Sequence, residues 1–530
     1  MADARKVDAA VSELRSVLLE WSARLGRLSR EPLFISELSI SAWWFSLLSD
    51  RGPLKTDAFL RLARLKALGT PAPLARSDDK PALVWLLRGA KLWLTLWKRG
   101  RAARRAFAGA SRPAPSEAAL AIATYFPALG PGLENRYFAP LQEALRKAGK
   151  EPLWLLQFVP LEGKTFDGAL ALARALNAQG QTAYFLEEFL LPEDVRAGIK
   201  LWLRLALRAG RLWRKLPKDA LIPEALGGQR AEGIIKGLWE RSFFGPPSVE
   251  GIAYALAFRR LCAALGPKGD FVYLSELLAW EKSLNAAKRA LRPSWRTIGF
   301  QHGSILGNLF NYFHSPSETQ ETGPAALPLP DVFGTDGEIP EMLLSECCYP
   351  HLTRLEALRY IPLAKALSEP VRPRVKTVLV AGSIDPVEAW RLAEVVMQAF
   401  PPGGGTRVVF KGHPMTPFDV SGYEVAKGSL GELLREPGVM VTASSGAALE
   451  ALAYGWEIVV PLFDDVMPMS PLSVAPGLAR FVEGSEELMK AVEEAFSAES
   501  ARAEAGRDFV RRYWDMDPAL SRWRKLLTIG

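Results

Sequence analysis

Apolar positions recur along this chain in two rhythms. From residue 120 onward, short solid apolar runs alternate with stretches whose apolar residues fall three and four apart. The runs at 120–126, 153–158, 183–187, 271–275, 297–301 and 332–334 read as strands buried on both faces, with helices between several of them. A second series follows the proline-punctuated stretch 369–373, with strands expected at 377–381, 407–411, 439–442 and 457–461. Such alternation predicts parallel sheets covered by helices on both faces. Residues 190–251 read as a long helical insertion, and before residue 120 the pattern is mainly helical, with a short strand in PLFISELSI and a Trp-rich turn at 41–48. The fold expected is α/β: two Rossmann-like domains facing across a cleft, with helical N-terminal insertions. Residues 1–335 are expected to form the first domain and 336–372 a hinge. Residues 373–500 would form the second domain, and 501–530 a helix packing back on the first.

Composition narrows the class. Of 530 residues, 49% are hydrophobic and 23% charged, the profile of a folded chain too long for one core. Three cysteines, Cys262, Cys347 and Cys348, suit neither a disulfide framework nor a zinc site and point to a reducing compartment. The N-terminal residues read as a helix start, not a signal peptide, and no long uncharged apolar stretch suggests a membrane span. A cytoplasmic location is expected, peripheral on the inner face of the membrane if the basic helices meet lipid.

Charge is unevenly placed. Lys and Arg number 66 against 58 Asp and Glu, and two windows, 83–107 and 200–218, each hold seven basic residues and no acidic one. Without them the remainder is 52 basic against 58 acidic. The same windows carry Trp85, Trp93, Trp97, Trp202 and Trp213. On a helical wheel, Lys200, Arg204, Arg208, Arg211, Arg214 and Lys215 share one side and Leu201, Trp202, Leu205, Leu212, Trp213 and Leu216 the other. Two readings stay open: a helix in an anionic membrane interface with its tryptophans at headgroup depth, or a surface helix with a solvated basic face. The first window is apolar nearly all round and reads as partly buried. Nucleic acid is disfavoured, because the aromatics lie away from the cations.

The candidate chemistry lies where strands end. The strand at 407–411 runs into Lys411-Gly412-His413-Pro414, and the strand at 439–442 into Ala443-Ser444-Ser445-Gly446 ahead of a helix. In an open parallel sheet, ligands bind beyond these carboxyl ends. Ser444, Ser445 and the amides of Gly446 and Ala447 suit a phosphate. His413 could donate to that phosphate as a leaving group departs, and Glu450, one turn on, could accept from a ribose. Gly382-Ser383, after the strand at 377–381, offers a turn for close approach.

The order KGHP, then TASSGAALEALAYG, resembles the nucleotide-binding domain of GT-B glycosyltransferases that use CMP-activated acidic sugars, such as bacterial sialyl-, polysialyl- and Kdo-transferases. In those, a His-Pro and a Ser-Ser motif hold the CMP phosphate. The first half is similar to a bacterial surface-carbohydrate biosynthesis family through SAWWFSLLSD, TYFP, the WE pair of SELLAWEKSL, and IGFQHGS. The resemblance implies phosphate contacts from Lys411, His413, Ser444 and Ser445 and a ribose contact from Glu450. It implies transfer of a Kdo or sialic (nonulosonic) acid from CMP to a surface-glycan acceptor, which could be lipid-linked, with no metal or other cofactor. The chain departs from the pattern in one place. The acidic pair followed by Gly that holds the base in many bacterial sialyltransferases is absent; Glu187-Glu188 precedes Phe189.

The base is therefore sought at the strand ends of the first half. Glu276 and His302 (in Gln301-His302-Gly303) come first, with Glu281, Asp336 and Glu37, near Trp43 and Trp44, behind them. Asp464-Asp465 reads as a turn rather than a metal site, and His314 and His351 as structural. Three alternatives remain: a CDP-glycerol-type glycerophosphotransferase of wall-polymer synthesis, a transferase using another nucleotide, and a non-catalytic module binding glycan or lipid.

Overall fold

A computed structural model describes residues 3–70, 80–110, 112–126, 134–160, 164–497 and 500–529. Ser111 and Pro127, at the edges of SRPAPSE and TYFP, lie outside the described residues. A two-stranded hairpin, β1 (Phe34–Ile35) and β2 (Ile40–Ser41), comes first, where the sequence suggested one strand. The first large sheet holds β3 (Leu120–Phe126), β4 (Leu153–Phe158), β5 (Ala183–Phe185), β6 (Gly269–Leu274), β7 (Trp295–Phe300), β8 (Val332–Thr335) and β9 (Leu352–Arg354). The second holds β10 (Thr377–Ala381), β11 (Arg407–Lys411), β12 (Glu424–Val425), β13 (Val439–Val441), β14 (Glu457–Pro461) and β15 (Ala479–Val482).

Every pairing within the two large sheets is parallel. Their spatial orders are β5-β4-β3-β6-β7-β8-β9 and β12-β11-β10-β13-β14-β15. Each runs outward from its first strand and then reverses, so each sheet has one switch point, between β3 and β6 and between β10 and β13. The architecture is that of GT-B, two Rossmann-like domains with a cleft between them. Strand residues divide by period two between faces: Ala121 and Ala123 join one core with Phe271 and Tyr273, while Leu120 and Ile122 join another with Val272 and Leu274. Val378 and Val380 likewise pack opposite to Leu379 and Ala381.

Three short strands escaped the sequence reading. β9 lies within 336–372, expected as hinge, and pairs with β8 of the first sheet. β12 is an exposed edge pair and β15 is only partly apolar, so neither makes a solid run. The insertion resolves into helices Pro192–Lys215, Glu232–Phe244 and Pro246–Ala264.

The C-terminal segment is two helices rather than one. Ser500–Tyr513 packs on the second domain, where a Cβ on Gly506 would touch Leu452 and Arg507 donates to the carbonyls of Leu367 and Glu369. Ser521–Leu527 crosses to the first domain and sets Trp523 edge-on to Phe300, ring centres 4.9 Å apart.

Three of the five tryptophans of the basic windows are placed differently from the membrane reading, while Trp97 and Trp213 are partly buried. Trp85, Trp93 and Trp202 are buried, and the helices Ala82–Ala106 and Pro192–Lys215 lock together through Trp93 and Trp202. A Cβ on Gly89 would collide with Trp202, and one on Gly198 with Trp93. The indoles of Trp93 and Trp202 fill notches that only glycine leaves open, so these two serve packing and do not reach an interface.

Candidate functional site

Each histidine motif follows a strand one place from a switch point, His302 after β7 and His413 after β11, and both feel the same two arginines. On the second domain, β11 is followed by Gly412, where a Cβ would lie 2.8 Å from the Phe418 nitrogen and from Pro417 Cα. Glycine is required for this turn to fold back on itself. His413 follows, half-buried, and its Nδ1 accepts the Met415 amide at 3.2 Å. Burial, together with the positive charges of Arg136 and Arg359, holds its pKa below the usual 6.5. The ring is therefore neutral near pH 7 with its proton on Nε2, a single donor of fixed identity.

At the end of β13, Ser445 Oγ accepts the Ala447 amide at 3.2 Å and opens the helix Ala447–Ala453. The Ser444 amide donates to Glu388 Oε1 at 3.0 Å. Glu388 belongs to the first turn of the helix Pro386–Ala399, behind Gly382 and Ser383. Burial raises it to about 7, against Ser444 and Ser383 beside it. Glu450 lies on the Ala447–Ala453 helix, raised by burial and opposed by Arg359. Lys411 is drawn aside, its Nζ donating to the Gly428 carbonyl at 2.6 Å. Beside Ser444 a cavity of about 380 Å³ opens, lined by Phe463, Met467, Met469 and Phe481 as well as Asp8 and Ser12 of the first helix.

On the first domain, Glu276 after β6 and His302 after β7 come together, Oε1 to Nε2 at 3.4 Å. Burial, with Arg359 and Arg136 nearby, lowers His302 to about 3, and its Nδ1 has no partner among the described residues. Burial raises Glu276, with Lys55 opposing. Glu281 does not face the cleft. It accepts from Ser275 Oγ and from the amides of Glu276, Leu277 and Leu278 at 2.8–3.1 Å, fixing the turn that carries Glu276. Tyr137 meets His302 edge-on, ring centres 5.0 Å apart.

Tyr125, 6.4 Å from His302 between ring centres, also lines a cavity of about 210 Å³ with Gln157, Glu187, Glu250, Tyr254 and Trp280. Gln157 is 5% exposed with no partner for its Nε2 among the described residues, and Glu187 Oε2 is likewise unpartnered. Burial pushes Glu187 up to about 7.

Two cations tie the halves together. Arg136, after β3, and Arg359, after β9, each depress both His302 and His413. Both are open to solvent at the cleft. Arg136 donates to Tyr137 Oη at 2.6 Å and Arg359 lies over the Tyr360 ring, but neither has an ion pair among the described residues. The approach is close: a Cβ on Gly446 would lie 3.6 Å from Ser304 Oγ of the first domain. Neither arginine, nor Glu388, emerged from the sequence, and Glu187 was named there only as half of an acidic pair that lacks the following Gly. Arg136 and Arg359 sit outside any motif, and only the strand order brings them to the cleft.

Other candidates fall elsewhere. Glu37 is exposed on the β1–β2 turn beside Ser36 and 4.0 Å from Arg204. Asp336 is buried with neither carboxylate oxygen partnered among the described residues, and burial raises it far above its usual range. Asp464 is held by Arg64 and Asp465 by Arg391. His314 is enclosed with Arg51 and Glu318.

No family model matches the chain, and no curated protein matches its sequence. Among solved structures, the glycotransferase of kitacinnamycin is 14% identical with a TM-score of 0.41, over 78% of this chain and 100% of that one. The glycosyltransferase SnogD from Streptomyces nogalater is 14% identical at TM-score 0.36, over 78% and 100%. The wall teichoic acid polymerase TagF is 9% identical at TM-score 0.38, over 84% and 96%. These similarities are too distant to bear on the reaction, and the architecture rests on the two sheets themselves.

Proposed function

We propose that the chain is a glycosyltransferase that moves an acidic sugar, of Kdo or sialic (nonulosonic) type, from a CMP donor to a bacterial surface-glycan acceptor. The observation that carries this reading is the pair Arg136 and Arg359, which form no ion pair among the described residues and act electrostatically on both His302 and His413. A site so charged favours a phosphate and a carboxylate, the two anions of such a donor. The nucleotide phosphate lies against His413 Nε2, the Ser444–Ser445 turn and the arginines, and Glu450 accepts from the ribose.

In the reaction the acceptor hydroxyl oxygen bonds to the anomeric carbon, and the bond from that carbon to the phosphate oxygen breaks. Its electron pair leaves on CMP, where Arg136, Arg359 and the His413 proton meet the growing charge without a divalent cation. The hydroxyl proton passes to His302, neutral and oriented by Glu276. Glu187, in the cavity beside Tyr125, is the second candidate for that proton.

A thermal-shift comparison of CMP, CDP, UMP, UDP and GDP, with and without EDTA, tests the reading. A ligand at about 100 times its dissociation constant adds roughly 2.7 kcal/mol. Stabilisation by CMP above the others, indifferent to EDTA and lost in His413→Ala, is the expected result. Preference for UDP or GDP overturns the donor. Response to none overturns the enzyme and leaves a glycan- or lipid-binding module, and phosphorus in the product would mark a glycerophosphotransferase.

A further inference from the structure

The helices Ala82–Ala106 and Pro192–Lys215 leave one face unaccounted for by the site. Because Gly89 meets Trp202 and Gly198 meets Trp93, the two run antiparallel, side by side. Both rest on the same pair beneath, Glu232–Phe244 and Pro246–Ala264, so their outer faces look the same way. That register sets Leu83 and Leu87 alongside Leu207 and Leu203, and all four are exposed, at 64%, 64%, 64% and 47%. Leu94, half exposed, extends the patch along the first helix. Leucine on a water-facing stripe of a long helix is costly to keep without an occupant.

The surround is cationic. Along the first helix the outward stripe Leu83, Leu87, Ala90 and Leu94 continues as Lys98, Arg101 and Arg105 at the same spacing of three and four. On the second, Leu203 and Leu207 are bracketed by Arg196, Lys200, Arg211 and Arg214, with Arg204 and Arg208 at their side. Arg208 also reaches the Phe34 carbonyl, and Glu37, 4.0 Å from Arg204, is the one acid in contact with this face among the described residues. A patch of leucines ringed by cations that far outnumber the one carboxylate beside them matches a surface that is apolar just below and anionic on top.

We propose that this two-helix face docks on an anionic phospholipid surface, with the leucines entering the acyl boundary and the arginines and lysines at the phosphates. Trp93 and Trp202 hold the two helices in register from behind and stay out of the lipid. The inference stands on surface geometry and charge, and does not depend on which nucleotide the cleft takes.

The experiment is co-sedimentation of the full chain with phosphatidylcholine vesicles, with and without phosphatidylglycerol. Binding to the phosphatidylglycerol vesicles alone, weakened by salt, is expected. L83S, L87S, L203S and L207S together, and separately Lys200→Glu, Arg204→Glu and Arg211→Glu together, should each weaken it by roughly tenfold or more. The charge variant alters only water-facing side chains and decides the matter should the leucine variant misfold. Absence of sedimentation with anionic vesicles, or binding untouched by both variants, overturns the proposal. So does a wild-type dimer in size-exclusion chromatography that the leucine variant breaks, since a second copy would then cover the patch.

Discussion

Glu276 Oε1 stands 3.4 Å from Nε2 of His302, across the ends of two adjacent strands. The carboxylate is set by its own turn, which Glu281 ties down through three amides and a hydroxyl. In the proposed general-base step this carboxylate orients the ring, and the His302 pKa, about 3 in this structure, has to rise when substrate binds for the ring to take the proton. His302→Ala should lower the transfer rate by about 10²–10⁴-fold, and Glu276→Gln by less, while the thermal shift with nucleotide stays as in wild type. Full activity in His302→Ala would pass the role to Glu187, whose Gln variant then becomes the decisive one.

In the proposed reading Arg136 and Arg359 form the anion site only in combination, because each comes from a different loop. A hydrogen bond from a charged donor contributes about 1.5–3 kcal/mol. Arg359→Ala should therefore weaken nucleotide binding by roughly tenfold to a hundredfold, and Arg359→Lys by less, since a point charge keeps the attraction and loses the fork. Calorimetric titration with the preferred nucleotide measures both. Unaltered affinity in the Ala variant would mean that the phosphate lies elsewhere.

The turn that presents His413 allows no side chain at Gly412, where backbone atoms of Pro417 and Phe418 stand 2.8 Å from a would-be Cβ. Gly412→Ala must push that backbone apart, at a cost of about 1–3 kcal/mol. Its melting temperature should fall, and nucleotide binding should fall with it because His413 moves. The adjacent His413→Ala, by contrast, should lose binding with little change in melting.

What the sequence made legible follows from where its signal is strong. Strands buried on both faces, such as Leu120–Phe126 and Thr377–Ala381, announce themselves as solid apolar runs, and soon after Trp295–Phe300 and Thr377–Ala381 come His302-Gly303 and Gly382-Ser383, which no core demands. Glu276 and His302 were recognisable because they directly follow such runs. Arg136 and Arg359 were not, since an arginine in a loop carries no periodicity, and their meeting depends on the order in which strands assemble. The tryptophans of the basic helices misled for a related reason. A wheel shows which side of one helix is apolar, but not that Gly89 and Gly198 on neighbouring helices leave notches of indole shape. Glu388 was invisible because its significance lies in a hydrogen bond to Ser444, fifty-six residues away.

Glu388 carries a pH signature that can be read directly. It is fully buried, and its pKa rises from 4.5 to about 7 because burial disfavours the carboxylate. The folded chain therefore keeps a proton that the unfolded chain releases between those values. The stability this gives is complete below pH 4.5 and is lost as pH rises through about 7, up to about 3 kcal/mol for such a shift. Glu388→Gln keeps an acceptor for the Ser444 amide and cannot ionise. Its melting temperature should match wild type near pH 5 and exceed it increasingly toward pH 8. Taking the difference between the two proteins removes other titrations, including that of His302, whose lowered pKa acts in the opposite sense by costing stability as pH falls below 6.5. A difference independent of pH would mean that Glu388 stays ionised in the fold. The Ser444–Ser445 turn would then sit over a fixed negative charge, a poor place for a phosphate.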